Sequence, residues 1–454
     1  MKYLYKVVYK MSGRERYIEL SPSNKTTDNL YSYKRGIAQL NFQIPEGNYL
    51  LDPSSVRICG GIRWWLTTAK LAADVPSAAN GPELTTSSRL NVYSTFQQLV
   101  LRSLTNQTTI EHCRHYNQFL ASYLPLTTSA QDNMGHLNES ALIFPNYNIN
   151  QKTSVRIDDP NSFCVHLPSG LLNGQPIPLA KGWGISGLDL TLMLENDAQA
   201  LQTLGGTSVG YTDAFYELQD VKLVAKLIEP PMDQLSKLMK GGGGSLTYQS
   251  ISSYYDTANS TNIQVNFNLG LSKVRSVFIK MITSDKLNNI TEDGFATLMP
   301  LQKTTGALAD IKQITWLKGG TTFPKHYPVN TNVKDVPSTP ATDCEITRDY
   351  INSVLSFDKL QHLAMTVDNN NRGYNGNMVS AVGTPYQKVR DGGVVYGLGI
   401  KYDQLLGEGV DFRSENWGIN IDCGLDTANA QSLFIFVNSE QSLVFNQQGV
   451  QVIS

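Results

Sequence analysis

Alternation of apolar and polar residues constrains this chain more than any other feature. In "AQLNFQIP", the apolar residues Ala38, Leu40, Phe42 and Ile44 occupy every second position, with polar side chains between them. The segments "LDLTLMLE" (188–195) and "VKLVAKL" (221–227) show the same alternation. A period of two places one face of a β-strand in the core. Such strands are typical of antiparallel sandwiches and barrels, so the predicted fold class is all-β.

An internal repeat indicates two domains of this kind. "QLNFQI" (39–44) is matched by "QVNFNL" (264–269), 225 positions later, and "SVRI" (55–58) is matched by "SVFI" (276–279). Between the two halves lies "EPPMDQLSKLMKGGGGS", which combines two prolines, a short helical patch and four glycines. Proline and consecutive glycines are typical of linkers.

The repeat and the linker predict where the domains begin and end. We expect an N-terminal arm at 1–30, a first β-domain at 31–232, a linker at 233–246 and a second β-domain at 247–454. The interdomain hinge is expected at Gly241, Gly242, Gly243 and Gly244.

Charge and cysteine usage exclude several classes of function. With 37 basic and 39 acidic residues, the chain lacks the strongly basic surface of a nucleic-acid-binding protein, so we expect no sequence-specific nucleic-acid partner. Lysines interrupt the apolar residues of "MKYLYKVVYKM", which argues against a secretory signal. Five cysteines without CxxC spacing argue against a disulfide framework and a zinc knuckle. We therefore expect synthesis inside the cell and no secretion.

One segment, "TTIEHCRHYNQF" (108–119), carries four ligand-type side chains: Glu111, His112, Cys113 and His115. Apolar residues at helical spacing predict that "TTIEHCRHYNQFLASYL" (108–124) is a helix that interrupts the β pattern. On a helix of about 3.6 residues per turn the four ligand-type side chains diverge, so we expect no metal and no cofactor.

The helix interpretation assigns other roles to the same segment. The packing face of the helix consists of Ile110, Cys113, Tyr116 and Leu120. His112 and His115, three residues apart on the other side, are candidates for a contact between subunits.

Motifs for catalysis are missing from the sequence. "GGGGS" lacks the GxxxxGK[ST] form that binds phosphate, and there is no GxSxG elbow. Asp158 and Asp159 precede Pro160 and indicate a turn more than a glycosidase pair. We therefore predict no catalytic residues.

The N-terminal arm has a different composition from the rest of the chain. Its tyrosines Tyr3, Tyr5 and Tyr9 alternate with lysines. This pattern is compatible with an edge strand that pairs with a neighbouring subunit, or with contact to nucleic acid or membrane.

Three phrases of the sequence resemble a known family. They are "FQQLVLRSLTNQTTIEHCRHYNQFLASYL", "SGLLNGQPIPLAKGWGISGLDLTLMLEND" and "SISSYYDTANSTNIQVNFNLGLSKVRSVFIKM". The first contains an "IE…YN" pattern at Ile110, Glu111, Tyr116 and Asn117. In this order they resemble the double jelly-roll major capsid proteins of double-stranded DNA viruses, in particular the polinton-like, virophage and adintovirus-like branch.

The resemblance implies a structure and a function. Each chain is expected to form two tandem eight-stranded jelly-roll β-sandwiches, with a helical insertion in a loop of the first. Three chains would form a pseudo-hexameric capsomer of an icosahedral shell. The implied partners are the chain itself as a homotrimer, neighbouring capsomers, penton and minor capsid proteins, and an internal membrane or a minor protein layer. The implied location is the virion capsid, after synthesis in the host cytoplasm or nucleus.

Two alternatives remain open on the sequence alone. A β-sandwich carbohydrate-binding protein or glycosidase would need an aromatic platform or two facing carboxylates, and the five tryptophans are scattered. A penton or minor capsid protein would need only one jelly roll, and the internal repeat argues against it.

Overall fold

The alternating segments form the strands of two β-sandwiches that follow one another in the chain. The structure is a computed structural model. It describes residues 14–67, 84–87, 90–127, 161–203, 213–232, 235–236, 240, 243–260, 262–268, 270–291, 294–295, 311–323, 329–330, 396–398, 409–413, 415–423 and 430–454.

The first domain contains twelve of the described strands, ten in the two sheets of its sandwich and two in a separate two-stranded sheet at Leu84–Thr86 and Leu201–Thr203. They are β1 (Arg14–Leu20), β2 (Leu30–Tyr31), β3 (Gln39–Ile44), β4 (Leu50–Trp65), β5 (Leu84–Thr86), β6 (Phe96–Ser103), β7 (Thr109–Cys113), β8 (Asn161–His166), β9 (Ile177–Pro178), β10 (Leu188–Leu194), β11 (Leu201–Thr203) and β12 (Phe215–Glu229). Its helices are α1 (Tyr116–Thr127), α2 (Asp197–Ala200) and a 3-10 turn at Asn91–Thr95.

The second sandwich contains ten described strands. They are β13 (Gly243–Ala258), β14 (Asn262–Phe267), β15 (Val274–Thr283), β16 (Ile311–Lys318), β17 (Thr321–Thr322), β18 (Val329–Asn330), β19 (Tyr396–Leu398), β20 (Trp417–Cys423), β21 (Gln431–Asn446) and β22 (Gly449–Ile453). A 3-10 turn lies at Ser284–Lys286.

Both sandwiches have the strand order of a jelly roll. In the first, one sheet has the order β1-β12-β4-β8 and the other β3-β10-β6-β7. In the second, the corresponding orders are β13-β21-β15-β19 and β14-β20-β16-β17. In chain order, the eight strands of each set are distributed over their two antiparallel sheets in the same way, so the two orders correspond strand for strand. The predicted fold, two tandem eight-stranded jelly rolls, is confirmed.

The internal repeat corresponds to equivalent strands. The first repeated phrase lies in β3 and β14, and the second in β4 and β15. These are the second and third strands of the eight in each jelly roll. The repeated phrases therefore occupy equivalent positions in the two jelly rolls.

The predicted alternation sets the inner face of each sheet. Leu40, Phe42 and Ile44 of β3 are fully buried, and they pack beside alternate leucines of β10. In the second jelly roll, Trp417 of β20 stacks on Phe412, with ring centroids 4.0 Å apart. Side chains that alternate across a pleated sheet send one set inward, which is why a period of two is enough to build both cores.

Two predicted boundaries are wrong. The arm expected at 1–30 includes β1, which pairs with β12 from Arg14 to Leu20 and is part of the first sheet. The hinge expected at four glycines includes Gly243 and Gly244, which pair with Asn446 and Phe445 at the start of β13. Backbone pairing overrides the flexibility that glycine allows. Gly241, Gly242 and the arm tyrosines Tyr3, Tyr5 and Tyr9 lie outside the described residues.

The predicted helix begins later than expected. Residues Thr109–Cys113 form β7, which pairs with β6, and the helix begins at Tyr116. The two are separated by Arg114 and His115, and the φ of 52° at His115 is in the left-handed region and turns the chain. Pairing with β6 satisfies the backbone of this segment, so tertiary context overrides the helical spacing of its side chains.

A core leucine tests the inward face. Leu190 of β10 is 0% exposed and lies between β3 and β6. Leu190→Ala should lower the free energy of unfolding by about 2–5 kcal/mol, because it leaves a cavity between the sheets. Urea denaturation measures this loss. The control, Gln39→Ala on the exposed face of β3, should change stability by less than about 0.5 kcal/mol. Equal losses in the two variants would contradict this placement.

Candidate functional site

Strand β21 joins the two jelly rolls because it is buried on both faces. Leu433, Ile435 and Val437 belong to the core of the second jelly roll. Phe434 and Phe436, which alternate with them, belong to the core of the first. The outer face of the sheet that contains β13, β21 and β15 therefore packs against the first jelly roll. The core cluster of the first domain extends onto this face, and the inner core of the second jelly roll is a separate cluster on the other side of the sheet.

The first jelly roll contributes the segment that carries the "IE…YN" pattern. Strand β7 lies at the end of the sheet β3-β10-β6-β7 and contacts β13. Ile110 is buried there, and its backbone oxygen accepts a hydrogen bond from the hydroxyl of Tyr248, at 2.6 Å. The same hydroxyl contacts the side-chain oxygen of Gln441 on β21, at 2.9 Å.

Glu111 connects the two domains with a buried carboxylate. Its oxygens accept backbone N–H bonds from Gly170 at 3.0 Å, Leu171 at 3.1 Å and Ile251 of the second jelly roll at 3.3 Å. The residue is only 2% exposed. Burial raises the pKa of Glu111, whereas the three donors act in the opposite direction because they stabilise the ionised form. One side chain thus satisfies backbone groups of both domains.

Gly170 makes this close approach possible. A Cβ atom at this position would lie 1.1 Å from the backbone oxygen of Gln249 in β13. Any larger residue would force the two jelly rolls apart at the place where Glu111 binds both of them.

Tyr116 and Asn117 anchor the first turn of α1 to the first jelly roll. The hydroxyl of Tyr116 donates to the backbone oxygen of Pro168 at 2.8 Å. The side-chain amide of Asn117 donates to Glu195 at 2.8 Å and to the backbone oxygen of Ser94 at 3.2 Å. Burial raises the pKa of Glu195. All four residues of the pattern therefore lie at the domain interface or directly beneath it.

The prediction that the two histidines share one face of a helix is wrong, because His112 is in β7 and His115 in the turn before α1. The ring of His115 contacts Tyr255 and Phe434 of the second jelly roll, with centroids 5.3 and 5.0 Å away. The ring of His112 instead contacts Gln98 on β6, at 3.1 Å. Burial lowers the pKa of both histidines. His115 thus contacts the other domain of its own chain.

The helix α1 adds apolar and charged contacts to the interface. Phe119 meets Phe436 of β21 edge-on, with centroids 5.7 Å apart. Lys280 of β15 is 0% exposed and donates to the side chain of Gln118 and to the backbone oxygen of Phe295, both at 2.8 Å. A lysine buried this deeply keeps its charge only with such acceptors around it. Cys113, Tyr116 and Leu120 are buried in the same core cluster as Ile110.

Within the described ranges, no group of three or more His, Cys, Asp and Glu side chains is placed to hold a metal ion. Among the helices of the same residues, none has both the length and the apolar character to cross a membrane.

Sequence reasoning identified the segment but missed its partners. "LFIFV" (433–437) is a run of five apolar residues rather than an alternation, and such runs are typical of strands buried on both faces. That signal would have identified β21 as an interface strand. Lys280 carries no comparable signal, because a single lysine on an alternating strand predicts an exposed side chain.

The fold is shared with capsid proteins of known structure. The chain is similar over 99% of its length to VP54 of PBCV-1, fitted into a reconstruction of the virophage Sputnik, with a TM-score of 0.55, 10% identity and 99% of that chain covered. It is similar over 98% to a chain of the Sputnik virophage structure (TM-score 0.54, 12% identity, 89% of that chain). It is similar over 96% to the Faustovirus major capsid protein (TM-score 0.56, 8% identity, 91% of that chain). At these identities the similarity shows a common fold.

Comparisons by sequence gave no match. No protein-family model and no curated protein matches the chain. The double jelly roll is therefore recognised by its strand order and by its structural relatives.

A substitution at Glu111 tests the connection between the domains. Glu111→Gln should lower the free energy of unfolding by about 1–3 kcal/mol, because an amide offers one acceptor oxygen to three N–H donors. Hydrogen exchange should become faster at Gly170, Leu171 and Ile251. The control, Glu46→Gln, changes a carboxylate on an exposed surface and should leave both quantities unchanged. Unchanged exchange at Ile251 in Glu111→Gln would show that the carboxylate does not connect the domains.

Proposed function

We propose that this chain is a viral major capsid protein, and that three copies form a pseudo-hexameric capsomer of an icosahedral shell. The observation that carries this proposal is the union of two jelly rolls of identical strand order through one buried interface. The shared fold with the PBCV-1, Sputnik and Faustovirus proteins supports it. In this role the chain is structural and has no catalytic residues or cofactor.

The two jelly rolls contact each other through two different surfaces, and such a contact supports ring formation. The first jelly roll contributes β7 and α1, whereas the second contributes the outer face of the sheet with β13, β21 and β15. A contact between two different surfaces is heterologous, and repeated heterologous contacts produce a ring when the rotation closes. Three chains supply six jelly rolls for such a ring.

The first jelly roll carries the surface that would receive the next copy. It is the outer face of the sheet β1-β12-β4-β8, which corresponds strand for strand to the covered face of the second jelly roll. Tyr17 of β1 lies on this face and is 70% exposed. Around it, Lys222 pairs with Glu19 and Lys226 pairs with Glu15. We call this surface the receiving face.

A carbohydrate-binding function has less support. The five tryptophans, Trp64, Trp65, Trp183, Trp316 and Trp417, are at most 6% exposed. Buried indole rings provide no platform for a sugar. Asp158 and Asp159, the paired acids of the sequence, lie outside the described residues.

Further partners follow from the proposed role. A capsomer would contact neighbouring capsomers, penton and minor capsid proteins, and an internal membrane or a minor protein layer. The arm with Tyr3, Tyr5 and Tyr9 is proposed to bridge to a neighbouring capsomer, and His112 stays a candidate for a contact between subunits. The chain would be made in the interior of the host cell and would reside in the virion capsid.

Native mass and particle outline test the proposal together. We expect a mass three times that of the 50.2 kDa chain and hexagonal outlines in negative-stain images. A protein that stays monomeric at high concentration, and that binds glycans, would contradict the capsid assignment.

A charge on the receiving face tests how the trimer forms. Tyr17→Asp should reduce the trimer fraction strongly, because it places an unpaired carboxylate in a surface that would be covered. Sedimentation measures the fraction, and circular dichroism should show an unchanged fold since Tyr17 contributes little to the core. The matched control is Tyr33→Asp, at another tyrosine that is 44% exposed and lies outside this face. A trimer fraction that falls equally in both variants would contradict the assignment of the receiving face.

A further inference from the structure

Two cysteines that are far apart in sequence lie side by side in the first jelly roll. Cys59 of β4 and Cys164 of β8 are in direct register on neighbouring antiparallel strands. Their sulfur atoms are 2.8 Å apart, and 105 positions separate the residues in the chain. Both side chains are partly exposed on the outer face of the sheet. The sequence spacing gave no sign of this pair.

The geometry of the strands suits a covalent link. Residues in direct register on antiparallel strands have Cα atoms about 4.5–5.5 Å apart, and disulfides span Cα distances of about 4.4–6.8 Å. The strands would therefore need little movement to bring the two sulfurs to bonding distance.

A cationic group beside the pair favours a thiolate. Arg57 lies two residues before Cys59 on the same face of β4. The hydrogen bond between the two thiols, followed by the positive charge of Arg57, lowers the pKa of Cys164 to about 6. A thiolate is the nucleophile in disulfide exchange.

We propose that Cys59 and Cys164 are a redox-active pair that forms a cross-strand disulfide on exposure to a small disulfide oxidant such as glutathione disulfide. The Cys164 thiolate attacks one sulfur of the oxidant, which gives a mixed disulfide and releases one glutathione thiolate. The Cys59 thiol then loses its proton and displaces the second glutathione. In total, two protein thiols are oxidised to one disulfide, and glutathione disulfide is reduced to two molecules of glutathione.

The disulfide would close the long chain segment between β4 and β8 into a loop. It closes a loop of 105 residues, and closing a long loop reduces the freedom of the unfolded chain. The oxidised protein should therefore unfold at a temperature higher by at least about 5 °C. One consequence rests on the proposed function: chains made in a reducing cell would acquire the link in an oxidising environment outside it.

The test equilibrates the intact, folded chain with mixtures of glutathione and glutathione disulfide. The incubation is long enough for the thiols and disulfides to reach equilibrium. If another copy of the chain covers the two cysteines, the reaction is then slower but its final products are the same. Peptide mapping without reduction should find the Cys59–Cys164 link as the predominant product. In Cys59→Ser, Cys164 should carry one glutathione, because no second thiol is present to displace it. Mixed disulfides that persist on both cysteines of the native chain, or unreacted thiols at both, would overturn the proposal.

The rate of oxidation tests the role of Arg57 as a positioning residue. Arg57→Gln should move the midpoint of the pH profile of the reaction upward by roughly one unit, and it should therefore slow the reaction several-fold at about pH 5, below the midpoint, where the thiolate fraction limits the rate. The matched control is Arg63→Gln, an arginine on the same face of β4 and further along the strand, which should leave the profile in place. Profiles that shift equally in both variants would overturn the role of Arg57. Native mass, recorded on the same samples, tests the trimer separately, so a failure of one proposal is distinguishable from a failure of the other.

Discussion

The arrangement of the two jelly rolls depends on a strand that is apolar on both faces. Strand β21 sends Leu433, Ile435 and Val437 into its own sandwich and Phe434 and Phe436 into the other. In isolation, the second jelly roll would expose both phenylalanines to water, at a cost of about 1.5–3 kcal/mol each. The hydrophobic effect therefore favours one body made of two domains.

Polar groups then fix how the two domains fit together. An apolar surface alone allows the domains to slide, since burial is not directional. Glu111, Lys280 and Tyr248 each require particular partners, and a shift of one residue would leave a buried charge or hydroxyl without them. Gly170 adds a steric condition, because its backbone approaches β13 too closely for any side chain. The interface thus combines non-directional burial with directional contacts that determine its register.

Local pattern predicted the strands, and long-range pairing explains what it could not predict. A period of two identified β3, β10 and β12, and the repeat identified two domains of one topology. The segment 108–124 was harder, because helical spacing of its apolar residues coexists with a short strand that only β6 stabilises. The partner of Glu111 at Ile251 is 140 positions away, and Cys164 is 105 positions from Cys59. Such distances in sequence leave no local signal.

Unfolding of the two jelly rolls, followed separately, tests the central claim most directly. Hydrogen exchange with mass spectrometry, carried out in increasing concentrations of urea, reports on peptides from β10 in the first jelly roll and β20 in the second. If the buried interface unites the domains, both sets of peptides should lose protection at the same urea concentration, in one cooperative transition. Loss of protection in β10 at a concentration where β20 stays fully protected would show two independent domains and would contradict the account.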